Sequence, residues 1–445
     1  MTIRFPDEFV WGAATASYQI EGHTPSDGRG KCVWDMMCEQ PGKIVHGDTG
    51  YTAASHIAHM REDVALMKQI GLKAYRFSIS WPRVLPNGTG EINPEGTAFY
   101  IELVDELLAA GITPFITLFH WDFPHALFLK GGWLSPDSPK WFADYVTLVA
   151  DLLGNRVANW ITFNEPEVFL QIGHVDGGHA PGMKYSWADA LTCTHNMLLA
   201  HGMAVKVLRE HCTVKTNIGM TFASPTPFPA DIEARDIEAT RRAIFDVVRK
   251  DLWNGSWLAD AIFFGAYPED GVKLFGSDMP TIGPDDMDII SQPIDFYGLN
   301  VYRGWAVSAD GDVPHPPGRA MSVNHWDVTP ECMYWATQFT SKRYNAPIYI
   351  TENGLCNTDW VHLDGAVHDP QRIDYTARYL TALNDSIKDG ADVRGYFHWS
   401  LMDNFEWAEG LRYRFGLIHI DYETQRRTLK DSAYWYSKVI WNNGF

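Results

Sequence analysis

The sequence predicts an α/β protein: a single (β/α)8 TIM barrel with long βα loops over the active face. Three observations predict it. Eight short runs of β-branched and aromatic residues recur along the 445-residue chain, bounded by Gly, Pro or polar residues. Stretches with apolar residues at three- and four-residue steps separate them. No Gly-rich nucleotide loop follows the first run, which argues against an open doubly wound sheet. Closure is then the economical arrangement of eight parallel units with right-handed crossovers.

The strands are expected at Phe9–Thr15, Ala74–Ser80, Thr113–Phe119 and Asn159–Phe163, then at Asn217–Phe222, Asp295–Asn300, Ile348–Thr351 and Arg394–Ser400. Between them, Ala53–Ile70 sets Ile57, Met60, Val64, Met67 and Ile70 on one helical face and stops at Gly71. Thr97–Ala110 stops at Gly111 in the same way. Trp187–His211, Ile232–Leu252, Cys332–Tyr344 and Gln371–Lys388 carry the same spacing. Arg303–Pro330 is rich in Pro and Gly and has no period. Lying after the sixth strand, it would roof the active face. No linker, repeat or low-complexity tract interrupts the pattern, so residues 1–445 read as one catalytic domain.

Composition narrows the function. Hydrophobic residues make up 46% and charged residues 20%, as in ordinary soluble proteins, and a core of this size needs no disulfide or metal. A formal charge of −19 disfavours nucleic acid and anionic membranes as partners. The six cysteines show no C-x-x-C spacing, and Met1–Phe9 holds no apolar run for a signal peptide or membrane span. A cytoplasmic location is expected. The 18 tryptophans offer flat faces for sugar rings, although a large barrel also buries Trp in its core.

In a parallel barrel the reacting groups sit at the C-terminal ends of the strands. Those ends bring Gln19, Arg76, His120-Trp121, Asn164-Glu165-Pro166 and Asn300-Val301-Tyr302 to one face. Thr351-Glu352-Asn353-Gly354 and Trp399 join them, with Glu406-Trp407 in the loop that follows. Two carboxyl groups, Glu165 and Glu352, would face each other across one cavity. Glycosidic hydrolysis needs such a pair: one proton donor for the leaving oxygen, and one nucleophile or base on the far side of the anomeric carbon. A metal site is the rival reading, but His120 and His398 have no partner at ligand spacing and no H-E-x-x-H occurs.

Thr162-Phe163-Asn164-Glu165-Pro166 and Ile350-Thr351-Glu352-Asn353-Gly354 resemble glycoside hydrolase family 1. So do the run Phe9 to Ala16, His120-Trp121-Asp122, and Asn404-Phe405-Glu406-Trp407, in the family's order, over about Phe5 to Tyr436. The resemblance implies a retaining exo-β-glycosidase acting on terminal β-D-glucosyl residues, and on β-galactosides and β-fucosides. Small β-glycosides and oligosaccharides such as cellobiose would be its substrates. It implies no organic cofactor and no metal, and leaves room for a homo-oligomer.

By the same resemblance, Glu165 is the acid/base and Glu352 the nucleophile. Asn164 would hold the sugar 2-hydroxyl. Arg76 and Tyr302 would keep Glu352 ionised and oriented, supported by Asn300, while Glu165 would titrate near neutrality. Gln19, His120, Trp121, Glu406 and Trp407 would grip the outer hydroxyls. Trp399 would lie beneath the ring, Phe415 would close a wall, and Trp326 would carry the aglycone.

The chain departs from the family's pattern at Glu167, Val301, His174 and the stretch Asn324–Asp327, all toward the entrance. Glu406-Trp407-Ala408-Glu409 stands where members acting on 6-phosphorylated sugars carry phosphate-binding residues. Carboxylates there would repel phosphate, so unphosphorylated substrates are expected. A silent sugar-binding barrel would lack one of the two carboxylates. A glycosyl-transferring enzyme would share both.

Overall fold

A computed structural model describes residues 3–23 and 26–445 of the chain. Met1 and Thr2, at the head of the N-terminal stretch read above, lie outside the described residues.

Eight parallel strands close a barrel: β1 (Val10–Ala14), β2 (Ala74–Ser78), β3 (Thr113–Phe119), β4 (Asn159–Asn164), β5 (Asn217–Phe222), β6 (Phe296–Asn300), β7 (Ile348–Asn353) and β8 (Val393–Trp399). Neighbours pair in chain order, and β1 closes on β8 with Ala14 opposite Trp399. The main helices are α1 (His56–Ile70), α2 (Pro94–Ala109), α3 (Ser138–Leu153), α4 (Trp187–His211), α5 (Ala234–Phe245), α6 (Trp257–Phe264), α7 (Glu331–Tyr344), α8 (Pro370–Lys388) and α9 (Asp431–Asn442).

The strands lie where β-branched and aromatic runs placed them, and the helix ends shift for local reasons. α1 starts at His56 rather than Ala53, because Ala53 and Ser55 take left-handed φ values of 44° and 46°. α2 starts earlier, at Pro94, where proline needs no N–H partner and the Asn93 side chain accepts the Glu95 N–H. The stretch expected to run to Leu252 ends at Phe245. There Asp246 turns extended, and Asp270 Oδ2 takes the Val247 N–H at 2.9 Å. α3, α6 and α9 were not expected, although Phe142, Val146, Val149 and Leu153 of α3 follow helical spacing and are buried. Arg303–Pro330 is not structureless: Ala306–Ser308 pairs with Gly311–Asp312 and with Phe228–Pro229.

The barrel interior is layered. Ala74, Phe115, Ile161, Phe296, Tyr349 and Phe397 form an apolar plug separate from the larger core under the helices. Side chains alternate in and out along a strand. Two residues further along β2, the inward position is therefore Arg76, which donates through Nε to Thr117 of β3 at 3.1 Å. The plug ends there and a buried polar layer begins.

Candidate active site

β4 delivers the first carboxyl group. Its last residue, Asn164, is buried, and Glu165 follows in the left-handed region with φ 46° and ψ 62°. Such a backbone is uncommon for a non-glycine residue and marks a site where the fold imposes a side-chain direction. Pro166 then begins a short helix. β7 delivers the second carboxyl group: Glu352 sits inside the strand, where the register against β6 slips between Ile350 and Glu352.

Both carboxyl groups line one cavity of about 520 Å³ at the mouth of the barrel. Arg76 joins them from below. Its Nη1 donates to Glu352 Oε1 at 2.8 Å and to the Thr351 carbonyl at 3.0 Å, and its Nη2 to Asn164 Oδ1 at 2.6 Å. Tyr302 donates its hydroxyl to Glu352 Oε2 at 2.7 Å. Asn300 donates to Glu165 Oε1 at 2.7 Å, held in place by Thr351 Oγ1 on its own Oδ1.

Burial pushes the Glu165 carboxyl well above its ordinary range, and the charge of nearby Glu352 pushes it further, against the Asn300 hydrogen bond. Burial also raises Glu352, and Arg76 and Tyr302 oppose that rise. Their effect is to order the pair, so that Glu352 ionises before Glu165.

A second group of residues comes from β1, β3 and β8. His120 lies between the rings of Trp399 and Trp407, with centroids 5.8 and 6.0 Å away and near-parallel planes. Burial, then the charge of Arg76, holds its pKa well below the ordinary value, so the ring is neutral. The Asn164 amide donates to His120 Nε2 at 3.0 Å, leaving the hydrogen on Nδ1. That Nδ1–H is buried without a partner among the described residues. Gln19 donates to the Phe405 carbonyl at 2.8 Å and toward Glu406 Oε2 at 3.4 Å, and its Oε1 is a buried acceptor without a partner among the described residues.

A donor and an acceptor left free beside an aromatic platform suit a hydroxyl-rich ligand, because leaving buried polar atoms unpaired costs about 1–3 kcal/mol each. Burial raises Glu406 to about 7, against the hydrogen bond from Asn404. Trp121 donates its indole N–H to the Asn164 carbonyl at 2.8 Å and stacks near Trp407.

The structure gathers the residues singled out from sequence, in two ranks. Glu165, Glu352, His120, Trp121, Asn300, Tyr302, Trp326, Trp399, Glu406, Trp407 and Phe415 line the cavity. Gln19, Asn164 and Arg76 stand behind that lining, as partners of its members. Phe415 is at once cavity wall and core, buried against Trp399 and Ala14.

Sequence reading missed His179, Trp253, Trp305 and Tyr413 in the lining. They lie in loops without period, where position relative to a strand end gives no signal. It also left Glu167 as a mere departure. Glu167 is buried, accepts the Ala223 N–H at 3.3 Å, and is raised by burial to about 8.

Comparison with known proteins agrees with this geometry. Residues 1–445 match the model of glycosyl hydrolase family 1. Beta-glucosidase A of Thermotoga maritima is 45% identical, across 99% of this chain and 98% of its own length. The 1,4-beta-D-glucan glucohydrolase of Thermotoga neapolitana is 45% identical, across 99% of both. The structure of the Thermotoga maritima family 1 β-glucosidase in complex with isofagomine lactam superposes with a TM-score of 0.92. It is 43% identical, with 100% of each chain covered. By barrel, carboxylate pair and whole-length match, the chain belongs to glycosyl hydrolase family 1.

Proposed function

We propose that the chain is a single-domain, retaining exo-β-glycosidase that hydrolyses terminal non-reducing β-D-glucosyl residues, with cellobiose and other unphosphorylated β-glucosides as substrates. The proposal extends to β-galactosides and β-fucosides. The observation that carries this reading is the ordered pair. Two carboxyl groups line one cavity, and the one with the cationic partner ionises first. Relatives named β-glucosidase, and one of them solved with a sugar-like inhibitor, support the choice of glucosides.

In the first step the Glu352 carboxylate attacks the anomeric carbon while Glu165 gives its proton to the leaving oxygen. A glycosyl ester on Glu352 forms and the aglycone departs as an alcohol. Glu165, now ionised, takes a proton from water as the water oxygen displaces Glu352, and the sugar leaves with its original β configuration. Arg76 keeps the nucleophile charged and aimed. Asn164, fixed between Arg76 and His120, is placed for the 2-hydroxyl. His120 Nδ1–H, Gln19 Oε1 and Glu406 receive the outer hydroxyls over Trp399.

The test is proton NMR of p-nitrophenyl β-glucoside hydrolysis by the intact protein and by Glu352→Gln. β-Glucose as the first sugar, with a loss of about 10⁴-fold in the variant, supports the reading. α-Glucose first, or a variant that keeps most of its rate, overturns it.

A further inference from the structure

The cavity has two sectors. Gln19, His120, Glu406 and Trp407, from the ends of β1, β3 and β8, surround the unpartnered donor and acceptor. Opposite, the loops after β4, β5 and β6 contribute Val168, Ile172, Ala223–Thr226, Arg303, Trp305 and Trp326. Glu165 belongs to this second sector, and the group it protonates must depart there.

Among the residues lining the cavity, Arg303 carries the one permanent positive charge. Its charged neighbours in the lining are answered elsewhere. Glu352 has Arg76, Glu406 has Asn404 and Gln19, and Glu409 pairs with Arg412. The other arginine of the roof is engaged, since Arg319 reaches Asp327. The Arg303 guanidinium has no ion pair or hydrogen bond among the described residues. It lies over the Trp326 ring, 5.9 Å from the centroid.

The backbone beneath it is fixed on both sides. The Tyr302 carbonyl accepts the hydroxyls of Tyr375 and Tyr379 at 2.7 and 2.8 Å. The Arg303 carbonyl accepts Thr226 Oγ1 at 2.5 Å, and the Gly304 N–H goes to Thr329 Oγ1 at 2.8 Å. A side chain at Gly304 would meet the Thr226 carbonyl at 2.1 Å, so the backbone packs directly against that carbonyl.

We propose that Arg303 selects the leaving group: the second sector takes flat aromatic aglycones that carry a carboxylate. The ring lies along Trp326 and the carboxylate meets the open guanidinium. This inference rests on the β-glucosidase reading above and specifies its substrate class. Glu406, the carboxyl group of the first sector, disfavours anionic substituents on the sugar itself. The leaving-group side alone accepts them.

The test compares kcat/KM for the β-glucosides of 4-hydroxybenzoate and 4-hydroxybenzamide, and for cellobiose, in the intact protein, Arg303→Gln and Arg303→Lys. The carboxylate-to-carboxamide ratio is expected to fall about fivefold in Arg303→Gln, the size of a charge contact at a solvent-open rim, and to recover in part in Arg303→Lys. High salt should shrink the ratio of the intact protein and leave that of Arg303→Gln in place. An unchanged ratio overturns the proposal. A parallel loss on all three substrates also overturns it, making Arg303 a brace for Trp326 or a donor to sugar hydroxyls. An intact protein that cleaves none of the three overturns instead the β-glucosidase reading.

Discussion

Arg76 donates to Glu352 at 2.8 Å from the floor of the site, with no exposure of its own, and the same guanidinium reaches Asn164 at 2.6 Å. One planar fork thus sets the charge of one strand end and the position of another. Lysine presents a point charge and cannot hold both directions. Arg76→Lys is expected to lower kcat/KM for p-nitrophenyl β-glucoside by about 10²–10³, the range for losing one preorganised electrostatic partner. Steady-state kinetics check it.

Asn300 tunes the acid. Its amide donates to Glu165 Oε1 at 2.7 Å, which favours the ionised form and lowers the pKa. Removing it in Asn300→Ala raises that pKa, so Glu165 keeps its proton to higher pH. The basic limb of kcat/KM against pH should move up, by roughly one pH unit. The acidic limb, set by ionisation of Glu352, should move less.

Glu406 titrates at about 7, where burial places it. Below that pH it is neutral and accepts sugar hydroxyls less strongly, so KM should be higher at pH 6 than at pH 8. Glu406→Gln is expected to flatten this dependence. At pH 8 it should raise KM by about tenfold or more, the worth of a charge-assisted hydrogen bond. KM measured across that range decides it.

Glu167 destabilises the fold as pH rises. Its folded pKa, about 8, lies above the unfolded value of about 4.3, so the folded state binds the extra proton. Stability from this group is complete below about pH 4 and declines as pH rises through 8. Glu167→Gln removes that decline. Its melting temperature relative to the parent should be higher at pH 8 than at pH 5, by about 2 °C or more.

Lys430 ties the loop after β7 to the loop after β8. Its Nζ lies 2.6 Å from Asp359 and 2.7 Å from Asp403, which Arg414 also holds. Burial opposes ionisation of Asp403, yet Lys430 and Arg414 bring it down to about 2. The stability it contributes is present above about pH 4 and lost as pH falls through 2. Lys430→Met leaves two buried carboxylates short of a partner and should cost about 3–5 kcal/mol in denaturant unfolding. Its acid loss should begin at higher pH than in the parent.

The barrel was legible because each strand announces itself locally. Phe115 and Ile116, or Ala74 and Tyr75, alternate between the barrel interior and the outer core, and Gly71 and Gly111 punctuate the helices that lead into them. Glu165 and Glu352 were legible because strand order places both on one rim. Helix α1 began late because two residues turned left-handed, which no propensity announces. The hairpin at Ala306–Ser308 was hidden because its partner, Phe228–Pro229, is distant in sequence.

The amino-acid sequence alone determined the alternating elements, the carboxylate pair and the polar set at the strand ends, since these follow from short-range periodicity and residue chemistry. Tertiary structure decided the rest. Burial opposes Arg76 and Tyr302 at Glu352, Gln19 stands behind the cavity wall, Glu167 is buried, and Arg303, beside Trp326, has no ion pair among the described residues. Burial and pairing are sums over neighbours far apart in the chain, and closing the barrel is what makes them neighbours.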